Sequence, residues 1–404
     1  MREHSVSAPT AAKRKPPLEG IRVIDLTQVY NGPYATYMMA RNGAEVIKIE
    51  PPGGEHLRKR AGGSALPFAM LNGNKRSMEL DLKTPDAVAA VLKLVDTADV
   101  LVENFTPGVM ARLGLGYEVL QARNPRLIYA CSSGYGIDGP YRDYPAMDLS
   151  IQAMSGIMGV TGFPDGPPVR SGSTACDFIA GTHVYAGVMT ALFERERSGL
   201  GQMVEIAMLE AAYFTLTSNI GALFSESGGP PGGRTGNRHG GMAICPYNVY
   251  PAADGFIAIL CSNDKHFVAL MQALELPELG GDPRYALNKN RVAAMDSIDA
   301  QIAARTAQFG KAELFERIMR HHVPSAPVRG LQEVVNDPHL HARGALQWFD
   351  HPQHGRLILA ESPLRLHGNA RPEYTPSVPI GTDTQAILDS LAILDSLAIL
   401  DSLG

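Results

Sequence analysis

The 404-residue chain lacks most of the patterns that announce a chemistry. It has four cysteines, Cys131, Cys176, Cys245 and Cys261, far apart and with no CxxC between them. That excludes a disulfide framework and a cysteine zinc site, and it is the usage of a reducing compartment, so a cytoplasmic location is expected. No apolar run reaches the ~20 residues that span a bilayer. The opening MREHSVSAPTAAKRKPP has no apolar stretch of the signal-peptide kind, and residues 1–17 read as a flexible arm. Net charge is −5 with 19% charged residues, so neither nucleic acid nor a membrane surface is an expected partner. HExxH, GxSxG and GxxxxGK[ST] are absent, TQVYNGP after the first strand IRVIDL holds no GxGxxG, and the twelve histidines are dispersed. No metal is expected, and the phosphate loops of NAD and ATP enzymes are missing.

What is present is alternation. IRVIDL, AEVIKIE, DVLVENF and RLIYACSSGY are short apolar runs of the buried-strand kind. Between them lie helical patterns: NGPYATYMMARNG, TPDAVAAVLKLVDTA and PGVMARLGLGYEVLQARN. The first starts at Gly-Pro and stops at Asn-Gly. Strands alternating with helices predict an α/β fold with a Rossmann-like, doubly wound parallel sheet. Helical patterns DLSIQAMSGIMGV and IAGTHVYAGVMTALFERERSG follow, then a strand candidate, QMVEIAML, and a helix, LEAAYFTLTSNIGALF. Composition changes at residues 225–241, SESGGPPGGRTGNRHGG, which read as a linker or mobile loop. NVYPAADGFIAIL reads as a hairpin with Asp-Gly at its turn, and LQWFDHPQHGRLILAESPLRL as two strands around a turn that pack back on an earlier element. AILDSL repeats in tandem from Ala386 to Leu403. A period of six matches neither ~3.5 nor ~3.6, and the repeat reads as a duplicated end without a function of its own.

A parallel sheet places ligands at the carboxyl ends of its strands. The basic candidates there are Asn74, Lys75, Arg76 and Lys83 in NGNKRSMELDLK, and Arg112 after Asn104 in ENFTPGVMAR; each is also an ordinary surface charge when taken alone. His183 lies six residues after Asp177, off its helical face, and reads as a packed histidine more than a ligand. Asp177, in SGSTACDFIAG, has two readings. It is an N-cap, since an aspartate before a helix satisfies free backbone N–H groups. Or it is a nucleophile, a carboxylate that attacks an activated acyl group and splits a hard step in two. The helix N-terminus would keep it ionised.

GIRVIDLTQVYNGPYATYMMARNGAEVIKIEPPGG, NGNKRSMELDLKTP, ADVLVENFTPGVMARLGLGYEVL, NPRLIYACSSGYGIDGPY, TGFPDGPPVRSGSTACDFIAGTH and RERSGLGQMVEIAMLEA occur in this order. Together they resemble the family III CoA-transferases, which take in formyl-CoA transferase, carnitine CoA-transferase and α-methylacyl-CoA racemase. The resemblance runs from residue 18 to 385. It implies a Rossmann-like CoA-binding domain over 18–224, a linker and smaller α+β domain over 225–325, and a second linker with a C-terminal return over 326–404. It implies an interlocked homodimer, coenzyme A as the moving group, and acyl-CoA and small carboxylic acids as substrates. The family's catalytic aspartate falls on Asp177, which favours the nucleophile over the cap. CoA contacts carry over to Val29, Tyr30 and Asn31, to Leu80, Asp81, Leu82 and Lys83, and to Asn104, Phe105, Thr106 and Arg112. A family arginine after the second strand is Pro51 here. Gly232–Gly241 is a candidate lid.

Two departures narrow the activity. Racemase members carry a histidine where this chain has Met147, and a thioether cannot move a proton, so 2-methylacyl-CoA epimerisation is the disfavoured alternative. Formyl-CoA transferase has glutamine and glutamate where Tyr30 and Met147 stand, so a larger, less polar acyl group is expected. A CoA-binding protein without turnover is the third reading, and the presence of Asp177 argues against it.

Overall fold

The computed structural model describes residues 13–59, 64–224 and 233–401. They form two compact units. One is built from the chain up to Ile151, from Thr174–Ala211 and from Pro338 onward; the other from Gln152–Ser173 and Ala212–Asp337. The boundaries expected at 224 and 325 therefore stand at 211 and 337, and the chain makes a further excursion at 152–173, which includes the Gly- and Pro-rich stretch GFPDGPPVRSGS. Local bonds close that excursion. Gln152 Oε1 accepts from Ser171 N–H at 2.8 Å, and Arg234 donates to the carbonyls of Phe163 and Gly166.

The larger unit carries a six-stranded sheet, all parallel, in the order β3-β2-β1-β4-β5-β6. The strands are β1 Arg22–Asp25, β2 Glu45–Glu50, β3 Lys75–Glu79, β4 Val100–Glu103, β5 Ile128–Ser133 and β6 Met203–Ala207. Because successive side chains point to opposite faces, each strand feeds two cores. Ile24, Ile47, Leu101 and Tyr129 pack with Val91 and Leu94 of the Pro85–Val95 helix. Val23, Val46, Val100 and Ile128 pack with Ala35 and Met39 of the Asn31–Ala40 helix and Val184 and Val188 of the Ala175–Ser198 helix. Two covered faces are why the strands read as continuous apolar runs.

β3 escaped the sequence reading because KRSME looks like surface charge. Lys75 is instead buried on this edge strand, its Nζ 2.9 Å from Asp25 of β1 and 2.8 Å from Thr36 Oγ1. Asp25 also accepts from the Thr27 backbone N–H at 2.9 Å. Burial alone would push the Asp25 carboxyl up. The Lys75 and Lys48 ammoniums and the Thr27 and Thr36 hydroxyls outweigh it and hold it well below the usual carboxylate range. Arg76 pairs with Glu45 at 2.8 Å. Both residues sit at the amino end of β3, away from the strand ends where ligands gather. The expected phosphate role of Lys75 and Arg76 is thus corrected to a structural one.

The free edge of β3 is covered by the C-terminal return. Ser77 N–H donates to Asp383 at 2.8 Å and Glu79 N–H to Thr384 Oγ1 at 3.0 Å. Ile387 and Leu391, from the first AILDSL copy, then pack into the core on the Pro85–Val95 side. One copy of the repeat is part of the fold. Two further strands, β10 Leu346–His351 and β11 Gly355–Ala360, form the expected late hairpin. It returns to the Asn31–Ala40 helix, where Tyr37 donates to Ala360 O at 2.9 Å and Arg41, just past the helix end, pairs with Glu361.

The smaller unit has an antiparallel sheet of β7 Tyr247–Ala252, β8 Gly255–Leu260 and β9 Ser325–Pro327, with helices packed on Phe267, Leu270, Ile298 and Leu314. Buried Asp299 is satisfied by Tyr250, Asn248 and Arg238. Patterns read as single helices are broken in two at Gly114 and Gly156, both with left-handed φ, 75° and 94°. Gly232 lies outside the described residues.

Lys75→Met leaves Asp25 buried without its partner. It is expected to cost about 3–5 kcal/mol of folding stability, read as a fall in the urea unfolding midpoint. A loss within experimental error would mean that Lys48 takes over the pair.

Candidate active site

Where β1 meets both β2 and β4 the strand order reverses, and the carboxyl ends of β1, β4 and β5 surround a cavity of about 310 Å³. Gln28, Val29 and Asn31 form one wall, Asn104–Pro107 a second and Ser132–Gly134 a third. Arg142, Tyr144, Ala146 and Met147 come from the loop after β5; His56 and Asp177 complete the lining with Met208.

Asp177 stands in the first turn of the Ala175–Ser198 helix. It is not the cap. Asp148, only 9% exposed, takes that role: its Oδ1 accepts from the backbone N–H groups of Cys176 at 2.9 Å and Asp177 at 3.3 Å. Among the described residues the Asp177 carboxylate has no hydrogen-bond partner of its own. It is half-buried. Burial first, then the charge of Asp148, pushes its pKa up to about 7. The helix end was expected to keep it ionised; desolvation and a like charge act in the opposite direction.

Of the residues expected to contact CoA, the cavity brings together Val29, Asn31, Asn104, Phe105 and Thr106 with Asp177. Tyr30 is not in the lining; its ring stacks on Phe178 at 5.9 Å, next in sequence to Asp177. Leu80 and Leu82 pack against the core, while Asp81 and Lys83 are exposed beyond the carboxyl end of β3. Arg112 is exposed and outside the lining. Its Nη1 lies 3.3 Å from the Cβ position above Gly108, and Arg142 Nη2 lies 3.8 Å from the same point. Two guanidiniums therefore flank one glycine at the cavity's edge, suited to anionic oxygens. Asn104 lines the cavity, but its amide is engaged with the backbone of Gln28 through both its oxygen and its nitrogen.

Sequence reasoning missed His56, Arg142 and Asp148. His56, at the start of the short His56–Lys59 helix, and Arg142, in the loop after β5, carry no local signal, since each acquires meaning only from what it faces. Asp148 starts a helix like many aspartates, and its partner helix lies 28 residues on, at Cys176. Met147 is 64% exposed and its thioether is in the lining. His183 bonds Ile179 O within its own helix. No group of three His, Cys, Asp or Glu that could hold a metal occurs among the described residues.

The family model described as CoA-transferase family III matches residues 18–384. The chain belongs to this family. It is 40% identical over 375 residues to the acetyl-CoA:oxalate CoA-transferase of Acetobacter aceti, covering 92% of this chain and 94% of that one. It is 40% identical over 342 residues to the succinate–glutarate CoA-transferase of Agrobacterium fabrum, covering 82% and 84%. Among solved structures, a CAIB/BAIF family protein from Brucella suis superimposes with a TM-score of 0.81 at 31% identity, over 94% of this chain and all of that one.

A carboxylate that must be ionised to react, with a pKa of about 7, predicts a kcat/KM that rises as pH is raised through about 7. Asp148→Asn keeps an oxygen for the helix end and removes the neighbouring charge. It is expected to move the profile to lower pH, yet not to the ordinary 3.8, because burial remains the larger cause. A profile unmoved by Asp148→Asn would show that the two carboxylates do not interact.

Proposed function

We propose that this protein transfers CoA from an acyl-CoA donor to a carboxylic acid acceptor with Asp177 as the nucleophile. The observation that carries the reading is an aspartate whose own oxygens make no hydrogen bond among the described residues, facing a cavity at the switch point of the sheet, while another aspartate caps its helix.

The carboxylate oxygen of Asp177 attacks the thioester carbonyl. The C–S bond breaks, leaving an aspartyl–acyl anhydride and CoA thiolate. The thiolate attacks the aspartyl carbonyl of that anhydride, which releases the donor acid and leaves an aspartyl-CoA thioester. An acceptor carboxylate attacks this thioester, forming a second anhydride and freeing the thiolate. The thiolate then attacks the acceptor's acyl carbon, giving the new acyl-CoA and restoring Asp177. Thioester energy is kept in covalent form throughout, so no nucleotide is consumed. Each covalent intermediate is neutral at Asp177. Burial and Asp148 disfavour the free carboxylate, so the same forces that raise its pKa favour capture of an acyl group. Ser132 and Ser133 line the same cavity, which supports their hydroxyls as donors to developing oxyanions.

Arg142 brings a guanidinium and His56 an imidazole to the lining, and they support an acceptor with a second carboxylate. The acids in the names of the two relatives above, oxalate, succinate and glutarate, agree with this chemistry. Met147 and Tyr144, also in the lining, support an apolar stretch between the two carboxylates. The absence of a base at Met147 sets this reading above epimerisation. An interlocked homodimer belongs to the same reading, and light scattering at working concentration checks it.

Asp177→Ala is expected to abolish exchange while coenzyme A still binds within a few-fold. Intact-protein mass spectrometry of the unmutated enzyme with acyl-CoA should show an adduct of CoA minus water that the variant lacks. Exchange that persists in the variant overturns the assignment.

A further inference from the structure

The turn after β1 holds a backbone conformation that its own residue disfavours. Val29 has φ 66°. A β-branched side chain in the left-handed region crowds its backbone, and such residues persist only where their surroundings over-determine them. Val29 and Asn31, on this turn, both line the cavity of Asp177. Asn31 is buried and donates to Ser132 Oγ at 2.9 Å, while its Oδ1 has no partner among the described residues. The position of the turn thus decides where a buried, available acceptor stands.

Two side chains hold the turn. Asn104 takes the residue before Val29: its Oδ1 accepts from Gln28 N–H at 2.8 Å and its Nδ2 donates to Gln28 O at 2.9 Å. Glu55 takes Val29 itself. Its Oε2 accepts from Val29 N–H at 3.1 Å and from Leu57 N–H at 3.2 Å. Glu55 is only 2% exposed, and its Oε1 has no partner among the described residues. A buried carboxylate with one oxygen unmatched is a poor way to stabilise a fold. It is itself held in place. Its backbone N–H donates to Glu50 Oε1 at 3.2 Å, and Arg58 grips the Glu50 carboxylate at 2.8 and 2.9 Å. A connected run, Arg58–Glu50–Glu55–Val29, ends on the strained residue.

We propose that Glu55 is a positioning residue for the substrate turn. It locks Val29 in the left-handed backbone and, through it, sets Asn31 in the cavity wall, without touching substrate. The inference rests on the reading of the cavity as an acyl-CoA site.

The test uses the full-length protein and coenzyme A itself. Glu55→Ala is expected to lower kcat/KM for the acyl-CoA donor by about 100-fold, the scale of a displaced contact. The loss should fall on KM and on coenzyme A affinity by calorimetry more than on kcat. Glycine adopts the left-handed backbone without steric penalty. The double variant Glu55→Ala with Val29→Gly should therefore recover most of the loss, a rescue that a purely structural role does not produce. Glu55→Gln keeps an acceptor oxygen and should keep most of the affinity. Undiminished affinity in Glu55→Ala, or a folded double variant as weak as the single one, overturns the proposal. If Glu55→Ala does not fold, the Gln variant decides: a loss of about 100-fold there means that charge, not the hydrogen bond to Val29, matters. Failure of coenzyme A to bind the unmutated protein overturns the acyl-CoA reading instead, and it is read before any variant.

Discussion

The buried contact between Asp25 and Lys75 is the constraint on which the rest of the site depends. Asp25 ends β1, Lys75 begins β3, and between them Thr36 fixes the Asn31–Ala40 helix to the same carboxylate. The Thr27 backbone N–H is the third tie, and Lys48 adds a bond to the Thr27 carbonyl. Where the chain leaves the sheet after β1 is thereby set by charge and not by packing alone. The turn that follows, Gln28–Asn31, is the first wall of the cavity, and Glu55 and Asn104 take over its restraint from that point. A pair this deep is poor value as stabilisation, because desolvation offsets most of the attraction. Its geometric effect is large, since only one arrangement of strand, turn and helix satisfies every partner.

The two central aspartates show how environment divides one side chain into two roles. Asp25 is surrounded by ammonium groups and hydroxyls and stays charged, a fixed anchor. Asp177 is half-buried beside a second carboxylate and is pushed to about 7, where it exchanges readily between charged and neutral states. A group that loses its charge on reacting profits from such a place. Asp148 serves both ends of this arrangement. It satisfies the backbone of the Ala175–Ser198 helix, which frees Asp177 from capping, and its charge raises the pKa of the residue it frees.

Much of the architecture was legible in the chain. The apolar strands of the parallel sheet, the helices between them and the late hairpin follow from periodicity and turn residues. β3 did not, because a lysine buried against an aspartate 50 residues away looks identical in sequence to a lysine in water. The excursion at 152–173 was missed as well, since the bonds that close it, Ser171 to Gln152 and Arg234 to the Phe163 and Gly166 carbonyls, have no local pattern. At the site, Asp177 and the turn residues Val29 and Asn31 were recognisable from their motifs. Arg142, His56, Asp148 and Glu55 were not, as each lies in a polar segment whose meaning comes from a distant partner.

The sequence by itself determined the class of fold and the family, because these are written in local pattern, alternating apolar runs with glycine and proline breaks; it singled out Asp177 as the proposed nucleophile only through the family resemblance. Only the tertiary structure decided the state of that carboxylate and the company it keeps. Proton affinity depends on what excludes water and on which charges stand within a few ångströms, and both are set by residues far apart in the chain.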